Sequence, residues 1–532
     1  MSREGSPDEG EGYHAESHLL RPQAAAMLQV PGRLSISSSV SDLAAPIYVR
    51  QDSTVVRRPQ PGFNARLAFA IAAAALGSSF QHGYNTGVVN APQELIETWI
   101  NETEEARTGQ VVTSTKVTMI WSIAVSIFCV GGMIGGAITG IVADRFGRKG
   151  GLLLNNALVV VSAILQGCSK AASSYEMIII GRFLIGINSG LNAGLTPMYL
   201  AEISPQHLRG AVGTVYQLVI TISILISQIL GLESVLGTSD LWPLLLALTI
   251  VPGLFQLATL PMCPESPKYL LINKGQELEA QRALTWLRGT IEVHDEMEEM
   301  RNEHENLKMV PKVTLTEMFV NASLRIPLVI AMMVMIAQQL SGINAVMFFS
   351  TRIFTMAQLS KENAQYATLG MGSINVLMTV VSLVVVERAG RKTLLLIGFS
   401  GMCVVTILLT ICIVYVKPGV MWLSVISIIL VILFVVMFAV GPGSIPWFLV
   451  SELFNQSARP TATSLAVAIN WTANFIVGIA FLPIQEAIGG YVFIIFVILQ
   501  ALFVLFIYFK VPETKNKTLE EITAMFRQIS YN

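Results

Sequence analysis

The stretch Asp144-Arg145-Phe146-Gly147-Arg148-Lys149 returns 243 residues later as Glu387-Arg388-Ala389-Gly390-Arg391-Lys392. Two further echoes follow it. Glu202 precedes Arg209 by seven residues and Glu452 precedes Arg459 by seven, at an offset of 250. Pro264-Glu265-Ser266-Pro267 is answered by Pro512-Glu513-Thr514 at an offset of 248. One echo is no more than coincidence. Three at nearly one offset make the chain a duplication whose halves carry the same charged marks.

Between the marks the sequence is apolar. The chain has 532 residues, 53% hydrophobic and 13% charged, with mean hydropathy +0.61. A soluble globular chain carries about 25% charged residues. Apolar blocks run over 66–88, 118–141, 151–169, 176–197, 211–231, 241–262, 326–346, 366–386, 394–416, 421–447, 461–482 and 490–510. Each is close to the ~20 residues that cross a bilayer core of ~30 Å as a helix. The expected fold is therefore an all-α membrane protein, with twelve transmembrane helices in two six-helix repeats. No strand-length alternation recurs, which argues against a barrel. A net charge of −1 argues against a nucleic-acid partner.

The expected division is a polar tail over 1–63, a first half over 64–262, a central segment over 263–325, a second half over 326–511 and a tail over 512–532. The first tail has no apolar core of signal-peptide type, so the first span must direct insertion. Its Arg33-Leu34-Ser35-Ile36-Ser37-Ser38-Ser39 run reads as solvated tail, with a kinase-accessible switch as the alternative. The central segment alternates acidic residues with Leu, Met and Ala at helical spacing over 275–309, which predicts short amphipathic helices. Five cysteines show no metal-ligand spacing and read as apolar filler without a structural disulfide.

Loop cations set the orientation. One set of loops holds Arg145, Arg148, Lys149, Arg209, Arg388, Arg391, Lys392 and Arg459, and the central segment adds more. The opposite set holds Arg107, Lys116, Arg352, Lys361 and Lys417. The first set and both termini are predicted to be cytoplasmic. Asn101-Glu102-Thr103 then falls in the first outer loop as a glycosylation acceptor. The sequons at Asn321, Asn455 and Asn516 fall inside and Asn470 within the bilayer, so these should stay unmodified.

Positive-inside anchoring explains cations at helix ends, but not an acidic partner at fixed spacing. Glu202, Arg209, Glu387, Arg391, Glu452 and Arg459, with Arg148 and Glu265 in the same marks, are expected to form ion pairs between helix ends. They would hold the cytoplasmic side shut while the outer side is open. Such pairs are individually weak, which suits a switch between states of similar energy.

Inside the blocks lie uncharged amides: Gln217, Gln338, Gln339, Asn344, Asn375, Asn470 and Asn474. Trp447 and Trp471 stand close to them. One reading makes the amides glue between helices. The other makes them partners for a neutral polyol, whose hydroxyls need donors and acceptors but no strong point charge. Gly342 and the Gly441-Pro442-Gly443 run predict helices broken at membrane depth, where irregular backbone is tolerated beside a cavity or buried in protein.

Residues 64–520 resemble the facilitative glucose transporters of the sugar-porter branch of the major facilitators. The likeness rests on Gly83-Tyr84-Asn85-Thr86-Gly87, Gly147-Arg148-Lys149, Pro264-Glu265-Ser266-Pro267 and Gln338-Gln339-Leu340-Ser341-Gly342-Ile343-Asn344. It rests also on Gly441-Pro442-Gly443-Ser444-Ile445-Pro446-Trp447 and Val511-Pro512-Glu513-Thr514-Lys515. The resemblance implies passive hexose transport at the plasma membrane, with the sugar bound by Gln217, Gln338, Gln339, Asn344, Asn375, Trp447, Asn470, Trp471 and Asn474. It implies the hexose and the lipid bilayer as partners, with no cofactor and no obligatory protein partner. One position departs: Ala439 stands where glucose members carry an acidic residue and fructose-selective relatives tend to have Ala.

Proton-driven relatives carry Asp where Asn85 stands, and the first span holds no Asp or Glu. His82, placed near the outer end of that span, is its one titratable candidate besides Tyr84. The expectation is uniport of D-glucose by alternating access. Alternatives are a fructose or broad-hexose uniporter, a proton-coupled symporter and, remotely, a non-transporting sugar sensor. With no nucleophile–base constellation and no phosphate loop in the sequence, an enzyme is not expected.

Overall fold

The computed structural model describes residues 62–311, 313–454, 458–514, 517 and 519–532, of which Asn64–Asn532 forms one compact unit. Residues 1–61, with the Ser-rich run, and the sequons at Asn455 and Asn516 lie outside the described residues. Among the described residues there is no strand.

Nine stretches of these residues are long and apolar enough to cross a membrane. One of them, Thr461–Lys510, contains two helices. With the helices over 65–87 and Lys361–Arg388, the spans number twelve. Spans 1 to 6 are 65–87, Ser114–Phe146, Arg148–Cys168, Tyr175–Ile203, Arg209–Leu230 and Trp242–Met262. Spans 7 to 12 are Ala322–Met356, Lys361–Arg388, Arg391–Tyr415, Met421–Trp447, Arg459–Ile488 and Val492–Lys510. Several helices run past their apolar blocks, because polar residues at their ends hold the helix beyond the hydrocarbon depth. Thr113 and Ser360 cap spans 2 and 8 by accepting the amides of Lys116 and Asn363.

Asn64 opens span 1, accepting from the amides of Arg66 and Leu67 and donating to the Leu287 carbonyl at 2.9 Å. This ties the chain start to the central segment, which forms the helices Glu277–Arg288, His294–Met309 and Leu315–Val320. The tail after span 12 also forms a helix, Leu519–Tyr531, with Ile522 and Phe526 buried. These two side chains are four apart and so share one face, a short signal the sequence reading passed over. Both described chain ends and the central segment lie at one end of the bundle, called here the termini end.

Four spans are broken, and in three of them, spans 1, 7 and 10, an amide side chain serves freed carbonyls. Span 1 contains a π turn over Ala75–Ser79, and Gln256 of span 6 reaches it, Nε2 lying 3.3 Å from Ala73 O and 2.7 Å from Ser78 Oγ. Span 6 breaks between Trp242–Ala247 and Ile250–Thr259. Span 7 breaks at Gly342, whose φ of +100° suits only glycine. Gln500 donates to Ser341 O there at 2.7 Å. Span 10 breaks over 441–444. Breaks at Gly342 and in the Gly-Pro run were expected from the sequence; those in spans 1 and 6 were not.

At the far end, the helix Gln93–Thr108 is fastened to spans 2 and 4 by a charge cluster. The buried Glu104 accepts from Lys116 at 2.8 Å and from the Tyr175 hydroxyl, with Arg107 at 3.7 Å. The Lys116 hydrogen bond, then that of Tyr175, holds the Glu104 carboxyl below its usual range. A depressed folded value means stability that is present above the unfolded carboxylate value of about 4.3 and is lost as pH falls through the lower folded value. Glu104→Gln should therefore lower the thermal unfolding midpoint at pH 7 and flatten its fall on acidification below about pH 4. Differential scanning fluorimetry at several pH values checks this; an unchanged acid limb would refute it.

Candidate functional site

The two halves meet along spans 2 and 11 and along spans 5 and 8. From the far end inward, Ser114 Oγ donates to Glu486 at 2.6 Å, and Gly132 packs on the face of Trp471. A side chain at Gly136 would meet Val467 at 3.4 Å; one at Gly140, a turn further on, would meet nothing within 4 Å. Spans 5 and 8 behave alike: Gly372 lies against Gln228 and Leu225, while Gly213 toward the termini end faces open space. Asn90, in the turn after span 1, closes the far end from another side, bonding Ser350 Oγ and accepting from Thr351 N at 3.0 Å. Lys361 and Glu233 add a cross-half ion pair of 3.4 Å. Among the described residues the contacts between the halves thus gather at the far end and thin toward the termini end, the pattern of a bundle shut at the far end and parted at the termini end.

At mid-depth, four of the expected site residues form one cluster. Asn470 Nδ2 donates to Gln338 Oε1 at 2.8 Å. Gln339 Nε2 donates to Asn470 Oδ1 at 3.2 Å, and Asn344 Nδ2 to Gln339 Oε1. The cluster forms because spans 7 and 11 present amides to each other where span 7 is interrupted. Gln338 has a second duty: its Nε2 donates to Pro442 O and Gly443 O, both at 2.9 Å. The residue four beyond Pro442 is Pro446, which has no N–H to offer. The side chain replaces that missing helical donor.

Asn474, one turn from Asn470, is 9% exposed, and its Oδ1 has no partner. Trp471 points to the first half, 6.1 Å from the rings of both His82 and Phe128. His82 therefore sits at mid-depth, in correction of its expected place near the outer end. Gln217 is exposed on span 5, Asn375 half-buried on span 8 and Trp447 42% exposed. None of these three joins the cluster in this conformation. Ala439 is half-buried on span 10 and brings no polar atom.

A second set of amides in the first half was missed from sequence. Gln81 donates to Asn156 at 3.0 Å and accepts from Asn188 at 3.2 Å and Asn192 at 3.1 Å. Asn156 donates to Gln256 at 2.9 Å. Asn85 Nδ2 donates to Gln81 O and Thr249 Oγ1, both at 2.8 Å. Arg182, 1% exposed, gives Nη1 to Asn85 O at 2.7 Å and lies 4.6 Å above the Phe128 ring. The available signal was a lone cation inside an apolar block, which marks a functional position by default.

The duplicated marks fold into two matching constellations. Arg148 pairs with Glu202 at 3.0 Å, and Arg391 with Glu452 at 3.0 Å. Glu265 accepts from the amides of Arg148 at 3.1 Å and Lys149 at 3.0 Å; Glu513 accepts from Arg391 N at 2.8 Å. A carboxylate thus sits on the N-terminus of spans 3 and 9, where the helix dipole favours it. Ser266 and Thr514 complete the likeness by donating to Glu202 and Glu452. Arg459 donates to Phe454 O at 3.1 Å. These contacts all join residues of one half, at the end that is parted. The side chains of Arg209 and Glu387 lie outside what is described.

Asn101 lies on the helix Gln93–Thr108, half-buried, beside Thr103, whose hydroxyl is bonded to Trp99 O at 2.8 Å.

Residues 70–526 match the family described as "Sugar (and other) transporter". Solute carrier family 2, facilitated glucose transporter member 1 of Gallus gallus is 48% identical over 87% of this chain and 94% of its own. Member 4 of that series in Mus musculus is 46% identical over 88% of this chain and 92% of its own. Among solved structures, the inward open conformation of the xylose transporter XylE from E. coli is similar, with a TM-score of 0.73 and 26% identity over 86% of this chain and 99% of that one. With twelve spans in two repeats, an uncharged amide cluster between them and matching charged marks at one end, the chain belongs to the sugar transporter family.

Proposed function

We propose that the protein is a facilitative uniporter of D-glucose in the plasma membrane, with both termini cytoplasmic. The observation that carries this reading is the cluster of Gln338, Gln339, Asn344 and Asn470, which offers amides and no ionised group at the level where the halves part. A neutral sugar that gives up its hydration regains hydrogen bonds there without facing an uncompensated charge. Gln217 and Asn375 stand ready on spans 5 and 8 to meet it as the halves rock. The family names of the relatives support glucose over other solutes.

Passive transport follows from span 1. Asn85 spends its side chain as a donor to Gln81 O and Thr249, which a carboxylate cannot do. No acidic residue occupies 65–87 to relay a proton. The termini end is read as cytoplasmic from its loop cations, so the structure is inward-facing. In that state the pairs Arg148–Glu202 and Arg391–Glu452 stiffen each half, and their proposed part in locking this end belongs to the opposite state.

Purified protein in liposomes tests the reading. Saturable D-glucose uptake should persist when the proton gradient is abolished. Uptake that vanishes with the gradient would make it a symporter, and binding without uptake a sensor. Ala439 favours a looser choice of hexose, since it removes one polar contact beside the tenth-span break. Ala439→Glu should tighten the half-saturation for glucose by about tenfold, the lower end of the worth of a hydrogen bond to a charged group, and weaken competition by fructose. Competition measured in the same liposomes checks this; equal fructose inhibition in both proteins would refute it.

A further inference from the structure

Along the seam between spans 5 and 8, one buried amide makes no hydrogen bond. Gln228 is 2% exposed, and both its Nε2 and its Oε1 are buried without a partner. Its side chain lies across Gly372 of the other half, where an added Cβ would fall on Oε1 and meet Leu225 Cδ1 at 3.2 Å. Beyond it, toward the far end, the same seam is properly paired: Glu233 N donates to Gln365 Oε1 at 3.3 Å, and Lys361 pairs with Glu233. The stranded group thus sits inside a contact that otherwise closes well. Ser227, next in the chain, spends its hydroxyl on Ile224 O at 2.6 Å and packs on Gly87, so span 5 is wedged between both neighbours.

We propose that Gln228 is a built-in counterweight against the far-end-closed state. While the seam is shut, the amide is desolvated and gains nothing in return. When the seam parts, water reaches it and its bonding capacity is met. A transporter that must visit both states needs neither to be a trap. The paired groups of this seam favour closure, and Gln228 opposes them. Removing the stranded amide while keeping its bulk should shift the equilibrium toward the far-end-closed state by about tenfold or more. The proposal rests on the alternating-access reading above, and its test separates the two.

Spin labels at Ser234 and Asn363, both exposed, report the seam distance by double electron–electron resonance, with the exposed Cys168 replaced by Ser. The parent protein should show a short and a long population. Gln228→Met should deplete the long one about tenfold. Gln228→Leu also removes both unpaired polar atoms without adding bulk at Gly372 and should act in the same direction, and it carries the test if the Met variant does not fold. In uptake assays both variants should lose turnover while holding sugar from the cytoplasmic side. A long population that is unchanged or enlarged in the folded variants overturns the proposal. A single distance in the parent, unmoved by D-glucose, overturns the alternating-access reading itself.

Discussion

Gln338→Leu should reduce D-glucose uptake by at least about a hundredfold and lower the unfolding midpoint as well. Its Nε2 serves the carbonyls of Pro442 and Gly443, and its Oε1 accepts from Asn470. Pro446 leaves the Pro442 carbonyl without a helical donor. Leucine would strand that carbonyl and the Asn470 amide, both of which belong to buried residues. Each stranded group costs about 1–3 kcal/mol, so two of them together account for the expected loss. Gln339→Leu is the informative partner. Gln339 bonds only within the cluster, to Asn470, Gln338 and Asn344. Its loss should raise the half-saturation for glucose while the unfolding midpoint moves little. Thermal unfolding and initial uptake rates, measured on both variants, separate a scaffold role from a ligand role. Equal effects on stability would show that Gln338 has no special duty at the tenth-span break.

Gly132→Val should nearly abolish transport through a different route. A Cβ at this position would lie 2.6 Å from Trp471 Cε3, well inside contact distance. The ring has little room to withdraw, being packed against His82 and Phe128. Overpacking of this kind costs about 1–3 kcal/mol, and at a seam that must close in each cycle the cost falls on one state only. About 3 kcal/mol at the upper end corresponds to roughly a hundredfold change in the population of that state. The double variant Gly132→Val with Trp471→Ala should recover part of the uptake, since the clash is then relieved. If the double variant is no better than the single one, the loss does not come from this contact.

Much of the architecture was open to a reading of residues alone. Twelve apolar blocks and three echoes at one offset led to two six-helix repeats, and Gly342 with the Gly441–Gly443 run predicted broken helices in spans 7 and 10. The cluster residues Gln338, Gln339, Asn344 and Asn470 were also named. What stayed hidden has a physical cause in each case. The π turn of span 1 holds Gly77, Ser78 and Ser79, which an apolar block tolerates without a break, and the partner that serves its carbonyls, Gln256, comes from span 6. The amide network around Gln81 links spans 1, 3, 4 and 6, and no periodicity within one span betrays it. Gln217, Asn375 and Trp447 have the right chemistry, yet the conformation parted at the termini end keeps them out of the cluster.

The sequence by itself determined the spans, their number, the duplication and the chemical character of the site, because each of these follows from local composition or from spacing along one helix. Only the tertiary structure decided which amides bind one another, which serve broken backbone and which stand unpaired. Those outcomes depend on distances between helices far apart in the chain. The charged marks show the division well. Their repetition was legible from Asp144–Lys149 and Glu387–Lys392, but their pairing within each half, Arg148 with Glu202 and Arg391 with Glu452, is a product of how four helix ends are brought together.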